Sequence, residues 1–348
     1  MSRKLITIST IMTLMSTSVI ADVPNVAADI APIHSLVSRV MDGVGVPKLI
    51  VQSGASPHGY RLRPSEAKAL QDADHVFWMG EELTPWLDSA IGTLASKASV
   101  TTLLDQQGVI LHDFREGALF EAHDHSAHGD DDHDDHDDHK DHDDHDDHDD
   151  HDDHKDHDDH DDHDDHDDHK DHDDHDDHGS HDPHAWLSPE NAKLWLNIIA
   201  SKLSVSDPEN AATYFMNAAA GQAEIEAMIA EVKATLKPVQ GGKFVVFHDA
   251  YQYFENDFDF YASGAISLSD SSDPSPARIE KVQKRIRDEG IQCVLAEPQF
   301  KKGLVATVME GSDATASVID PLGTELETGP KLYTQLIENM AKTLRNCL

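Results

Sequence analysis

Cysteine is scarce in this chain: only Cys293 and Cys347 occur in 348 residues. Their wide separation, with no second pair, makes a cysteine zinc site the weaker reading, and in an exported chain they most simply form one disulfide. Positive charge is scarce as well, at 27 Lys and Arg against 67 Asp and Glu, with no basic patch. Nucleic acid and anionic lipid surfaces are therefore poor partners, and no nucleic-acid binding is expected. Long apolar runs are missing beyond the first residues, so no later stretch spans ~30 Å of hydrocarbon. Neither an HExxH helix nor a nucleophile–base pair occurs, which leaves catalytic zinc without a general base. The expectation is a protein that is not an enzyme.

The first residues read as a secretory signal over 1–21. Arg3 and Lys4 give a charged start, Leu5 to Leu14 an apolar run too short to anchor, and Val19-Ile20-Ala21 a small-residue cleavage site. Histidine is what the chain has in abundance. From His133 to His184 every third residue is histidine, and most gaps hold two aspartates. Residues 130–178 carry 30 Asp and 3 Lys, so −27 of the formal charge of −40 sits there and −13 remains for a moderately acidic globular remainder. Such a segment has no apolar surface to hide, and a disordered loop over 123–181 is expected. Lys140, Lys155 and Lys170 recur every fifteen residues, as a tract expanded by duplication would have them. The imidazoles and carboxylates form a reservoir of ligands for divalent metal. His133, His136, His139, His142, His145, His148, His151 and His154 are read as auxiliary low-affinity metal ligands; a passive hydrophilic spacer is the bland alternative.

Outside the tract, short apolar runs alternate with helical patterns. Strands are expected over 25–30, 47–52, 74–79 and 100–104, with helices over 33–41, 65–72 and 85–94. Ser188-Pro189-Glu190 is a helix start, and Asp207-Pro208-Glu209 opens a pattern running to Leu236, 29 residues or ~43 Å. A second set comes after it, with strands over 244–247, 292–296 and 316–319 and helices over 276–289, 303–309 and 331–347. The fold class is α/β: two lobes, each a mostly parallel sheet flanked by helices, joined by one long rigid helix. The expected division is an N-terminal lobe over 22–206 containing the loop, a linking helix over 207–238 and a C-terminal lobe over 239–348.

Four residues stand at or just past strand ends: His58, His184, His248 and Asp320. Three imidazoles and a carboxylate fill a tetrahedral zinc shell at ~2.0–2.2 Å, and drawing them from both lobes places the ion in the cleft between. Taken singly, each is more often a satisfied structural residue than a ligand. Convergence of all four is the stronger signal. His34 and His75 are read as structural, and Glu297 as shaping the cleft.

The segments carrying these residues are Ser56-Pro57-His58-Gly59-Tyr60, Asp182-Pro183-His184-Ala185-Trp186, Phe247-His248-Asp249-Ala250-Tyr251, Ala296-Glu297-Pro298-Gln299 and Asp320-Pro321-Leu322-Gly323. In that order, over essentially the whole mature chain, the sequence resembles the metal-specific periplasmic solute-binding proteins of zinc and manganese ABC importers. The resemblance implies two α/β lobes, one rigid linking helix and metal held by His58, His184, His248 and Asp320. Some members carry an acidic residue just before the first histidine; Pro57 stands there here, which leaves the fourth position to Asp320, water or a tract histidine. Manganese members tend to hold Glu at the third position. His248 argues for Zn2+, in line with the nitrogen preference of that ion. The resemblance therefore implies a high-affinity zinc-binding protein of the periplasm, a monomer, delivering zinc to an ABC permease in the inner membrane. A metal buffer or adhesin, or a manganese-specific homologue, is the alternative.

Overall fold

Along each strand, apolar side chains alternate between two destinations. Val26 and Ala28 face a large central core while Ala27 faces a smaller one; Phe77 faces the first while Val76 and Trp78 face the second. Phe244 and Val246 likewise part from Val245 and Phe247, as Cys293 and Leu295 do from Val294. Strands buried on both faces in this way belong to parallel sheets covered by helices. The structure, a computed structural model, describes residues 23–115, 120, 181–267, 274–300 and 302–348. The expected signal segment 1–21 and the auxiliary histidines His133 to His154 lie outside the described residues.

In the first lobe β1 (Val26–Ala28), α1 (Ala31–Val40), β2 (Lys48–Leu49), α2 (Pro64–Gln71), β3 (His75–Trp78), α3 (Pro85–Leu94) and β4 (Ser99–Thr102) form a parallel sheet of order β2-β1-β3-β4. Next come α4 (Pro189–Ser206) and α5 (Ala211–Leu236). The second lobe holds β5 (Phe244–His248), α6 (Gln252–Phe258), β6 (Ala265–Ser267), α7 (Pro276–Glu289), β7 (Cys293–Ala296), α8 (Lys302–Met309), β8 (Thr315–Val318) and α9 (Leu332–Cys347), with order β6-β5-β7-β8. Proline at the first turn opens α1, α2, α3, α4 and α7, where a missing N–H costs nothing and a fixed φ helps. In both sheets the first strand sits inside and the chain winds away from it in opposite directions. A crevice forms beyond the strand ends at that reversal.

Three expectations need correction. The long helix starts at Ala211 and not at Pro208, so it is 26 residues and ~39 Å long. Asp207 explains the delay: its carboxylate accepts from the Asn210 side chain at 2.8 Å and the Tyr214 hydroxyl at 2.7 Å, holding a turn before the helix. The 252–267 stretch, to which no element is assigned above, contains α6 and the edge strand β6. The strands of the first lobe are also shorter than expected, β2 shrinking to two residues, whereas β5 gains His248.

Helix α5 packs on α1 and α4 from one lobe and on α9 from the other. Further bonds cross the seam. Ser35 donates to the Gly329 carbonyl at 2.7 Å and accepts from the Tyr333 amide at 3.0 Å, and Trp186 donates to the Pro321 carbonyl at 2.8 Å. Among the described residues no helix is long and apolar enough to cross a membrane.

The expected disulfide is present, joining β7 at Cys293 to the last residue of α9, Cys347, with Cα atoms 5.6 Å apart. It closes a sequence separation of 54. Because the bridge restricts the unfolded chain by closing that loop, replacing both cysteines by serine is expected to cost about 2–4 kcal/mol. Urea melts check this; equal midpoints for the variant and the parent would contradict it.

Candidate metal centre

His248 is the last residue of β5 and is buried at 3% exposure. The register of β5 on β7 sets Phe244 beside Cys293 and Val245 beside Val294. Carried on by three residues, it brings Glu297 alongside His248, and the imidazole Nδ1 donates to Glu297 Oε1 at 2.6 Å. Glu297 is itself held, since Gln299 donates to its other oxygen at 2.8 Å.

His184 sits at the start of a 3-10 turn, Ala185–Leu187, behind Pro183. The Asp182 carboxylate accepts from the His184 amide at 3.0 Å and from its ring Nδ1 at 2.6 Å. Both rings therefore spend their Nδ1 protons on buried carboxylates, a tautomer assigned from the hydrogen bonds. Each then turns its Nε2 toward the other ring. These two nitrogens lie 3.4 Å apart. A proton shared between them satisfies both rings at that range, and so does a cation bound by both. A tetrahedral ion with nitrogen at ~2.0–2.1 Å would set them about 3.3–3.4 Å apart.

His58 supplies the third nitrogen. It is half-buried in the loop after β2, its ring centroid 5.5 Å from that of His184. The loop is pinned by Trp86 donating to the Pro57 carbonyl at 2.6 Å and by the Tyr60 hydroxyl donating to Glu66 at 2.8 Å. His58, His184 and His248 each offer a ligand atom, all within 4.8 Å of one another. Trp186, Tyr251 and Phe300 wall the rings of His184 and His248. The Tyr251 phenol is pushed well above its ordinary value by burial and by the charges of Glu297 and Asp320.

Asp320, expected as a fourth ligand, stands outside this group among the described residues. Its oxygens hold a turn, accepting from the amides of Leu322, Gly323 and Thr324 at 3.0, 3.0 and 2.6 Å and from the Thr324 hydroxyl at 2.7 Å. Four bonds fill the four lone-pair positions of a carboxylate.

The family described as ZnuA, zinc-uptake complex component A, periplasmic, matches residues 26–347. The chain belongs to this family. The high-affinity zinc uptake system protein ZnuA of Brucella abortus (strain 2308) is 48% identical over 323 residues, covering 93% of this chain and 91% of that protein. The protein of the same name from Paracoccus denitrificans (strain Pd 1222) is 44% identical over 329 residues, with 94% and 93% covered. A crystal structure of a ZnuA superposes with a TM-score of 0.67 at 19% identity, over 94% of this chain and 99% of that one, a likeness of fold.

In this member of the ZnuA family, several neighbours of the site escape sequence reasoning. Asp182 lies two residues before His184, a spacing that offers a signal. Glu297 does more than shape the cleft, and its bond to His248 depends on strand register. Arg115 gives no signal. Its guanidinium forms ion pairs with Asp249, next to His248, and with Glu255 on α6, and lies 3.6 Å over the Phe120 ring. Burial pushes the Glu255 carboxyl up to about 7 against the pull of Arg115. His34 and His75 are structural, bonded to the Pro47 carbonyl and the Ser206 hydroxyl. His112, unassigned from sequence, packs on Tyr253 with ring centroids 4.7 Å apart.

The His184 segment precedes the linking helix in the chain, yet it is bolted to the second lobe. Besides the Trp186–Pro321 bond, Tyr253 donates to the Asp182 carbonyl at 2.7 Å, Tyr333 to the Trp186 carbonyl at 2.9 Å, and Ser188 to Asp257 at 2.7 Å.

Proposed function

We propose that the chain captures one zinc ion in its interlobe cleft through His58, His184 and His248 and carries it to an ABC permease in the inner membrane. The observation that supports this most is the pair of Nε2 atoms 3.4 Å apart, each ring backed by a buried carboxylate. Zinc is the cargo in this reading and no reaction is catalysed, since a carrier needs a site that loads and unloads. Curated relatives that share nearly the whole chain are named for high-affinity zinc uptake. The periplasm is the place of action and the monomer the working form, with residues 22–206 and 239–348 as the two lobes and 207–238 linking them. Asp320 becomes the fourth ligand by trading a Thr324 bond for the ion; water takes the position otherwise.

The histidines His133 to His154 serve in this reading as low-affinity capture sites beside the tight one. Deleting residues 123–180 is expected to leave one tight zinc site intact and to remove the additional weak ones. Titration calorimetry on the full chain and the deletion variant, side by side with zinc and manganese, measures both. Loss of the tight site on deletion, or tighter manganese than zinc, would overturn the reading.

A further inference from the structure

We infer that Glu297 and Asp182 are positioning residues for the metal, acting through His248 and His184 by fixing which ring nitrogen is turned toward the ion. The inference rests on the zinc-carrier reading above and adds to it what sets the site's affinity for nitrogen-preferring ions. Neither carboxylate belongs to the group of candidate ligands. Both are buried, Asp182 at 1% and Glu297 at 3% exposure, and both hold their imidazole at 2.6 Å. Each is fixed from a second direction: Glu297 by Gln299, and Asp182 through the His184 amide.

That arrangement acts on the site in two ways. A neutral imidazole carries one proton, on either nitrogen, and an unguided ring divides its time between tautomers. Committing the proton to Nδ1 keeps Nε2 open toward the ion and raises its basicity. The other effect is charge. Three neutral imidazoles bring no negative charge to a divalent ion, and burying an uncompensated cation is costly. Glu297 and Asp182 supply two negative charges one ring away from the ion. The adjoining acids Asp249 and Glu255 are engaged by Arg115.

The test uses the full chain with zinc as the probe, in wild type and in Glu297→Ala, Glu297→Gln and Asp182→Asn variants. Competition titration gives the affinity of the tight site, and long-range proton–nitrogen spectra of 15N-histidine-labelled protein report the His248 tautomer. Glu297→Ala is expected to weaken zinc binding about 10–100-fold and to move His248 away from the Nδ1–H pattern. In Glu297→Gln, which keeps an acceptor but no charge, the Nδ1–H pattern returns with only part of the affinity. Asp182→Asn is expected to weaken zinc to the same degree. Zinc affinity within twofold of wild type in Glu297→Ala, or an unchanged His248 pattern there, overturns the inference. Should that variant not fold, Glu297→Gln decides alone: affinity within twofold of wild type overturns it. Failure of the carrier reading looks different, because the wild-type signals of His184 and His248 would then ignore added zinc while those of the tract alone respond.

Discussion

Replacing His248 with alanine is expected to lower the affinity of the tight zinc site by about three orders of magnitude. Structural zinc sites are worth roughly 10–16 kcal/mol, so losing one of three nitrogen ligands removes on the order of 4 kcal/mol, and each 1.4 kcal/mol is tenfold. Glu297 would meanwhile keep its Gln299 bond and remain a buried carboxylate with its His248 donor gone. The measurement belongs in the background of the 123–180 deletion, where tract histidines cannot mask the loss. An affinity within tenfold of the parent would remove His248 from the coordination shell.

Arg115→Leu is the second large effect, and it acts on stability. The guanidinium serves two buried carboxylates, Asp249 at 7% and Glu255 at 1% exposure, and removing it leaves both without their cation. Breaking a buried pair from one side costs about 3–5 kcal/mol. The pH dependence has a definite sign. Glu255 in the folded protein already stands at about 7, above its ordinary 4.5, so the folded state holds a proton that the unfolded chain releases between those values. Stability from this group is present below the lower value and is lost as pH rises through the upper one. Without Arg115 a cause that lowers the Glu255 value disappears, so the carboxyl rises further and the loss grows. The variant's deficit is therefore expected to be largest near about pH 8 and to shrink toward about pH 5, where the acid is neutral. Urea melts at both pH values measure it, and a deficit independent of pH would sink the argument.

The parts legible in the sequence are those written locally. Proline at helix starts, two-sided apolar strands and strand-end histidines all depend on residues close together in the chain, and they locate both sheets and the three clustered imidazoles. The elements that escape are short: α6 spans seven residues and ends at Asp259 in a left-handed conformation, and β6 spans three. Neither is long enough to show a period. Partners across the fold are equally hidden. Glu297 reaches His248 only because β5 and β7 pair in one register, and Arg115 reaches Asp249 and Glu255 over separations of 134 and 140 residues. Asp320 has a second use that its sequence does not display: a strand-end aspartate before proline can serve as a ligand or as the cap of a turn, and only the bonds to Leu322, Gly323 and Thr324 reveal the capping.

On the carrier reading, the bonds that tie the Asp182–Ser188 segment to the second lobe bear on how cargo escapes. If the halves swing apart about α5, His184 travels with His248 and the two stay paired, while His58 recedes with Trp86 and Glu66. In that reading unloading would break the His58 bond before any other, and the off-rate would be governed by the one short loop that carries it.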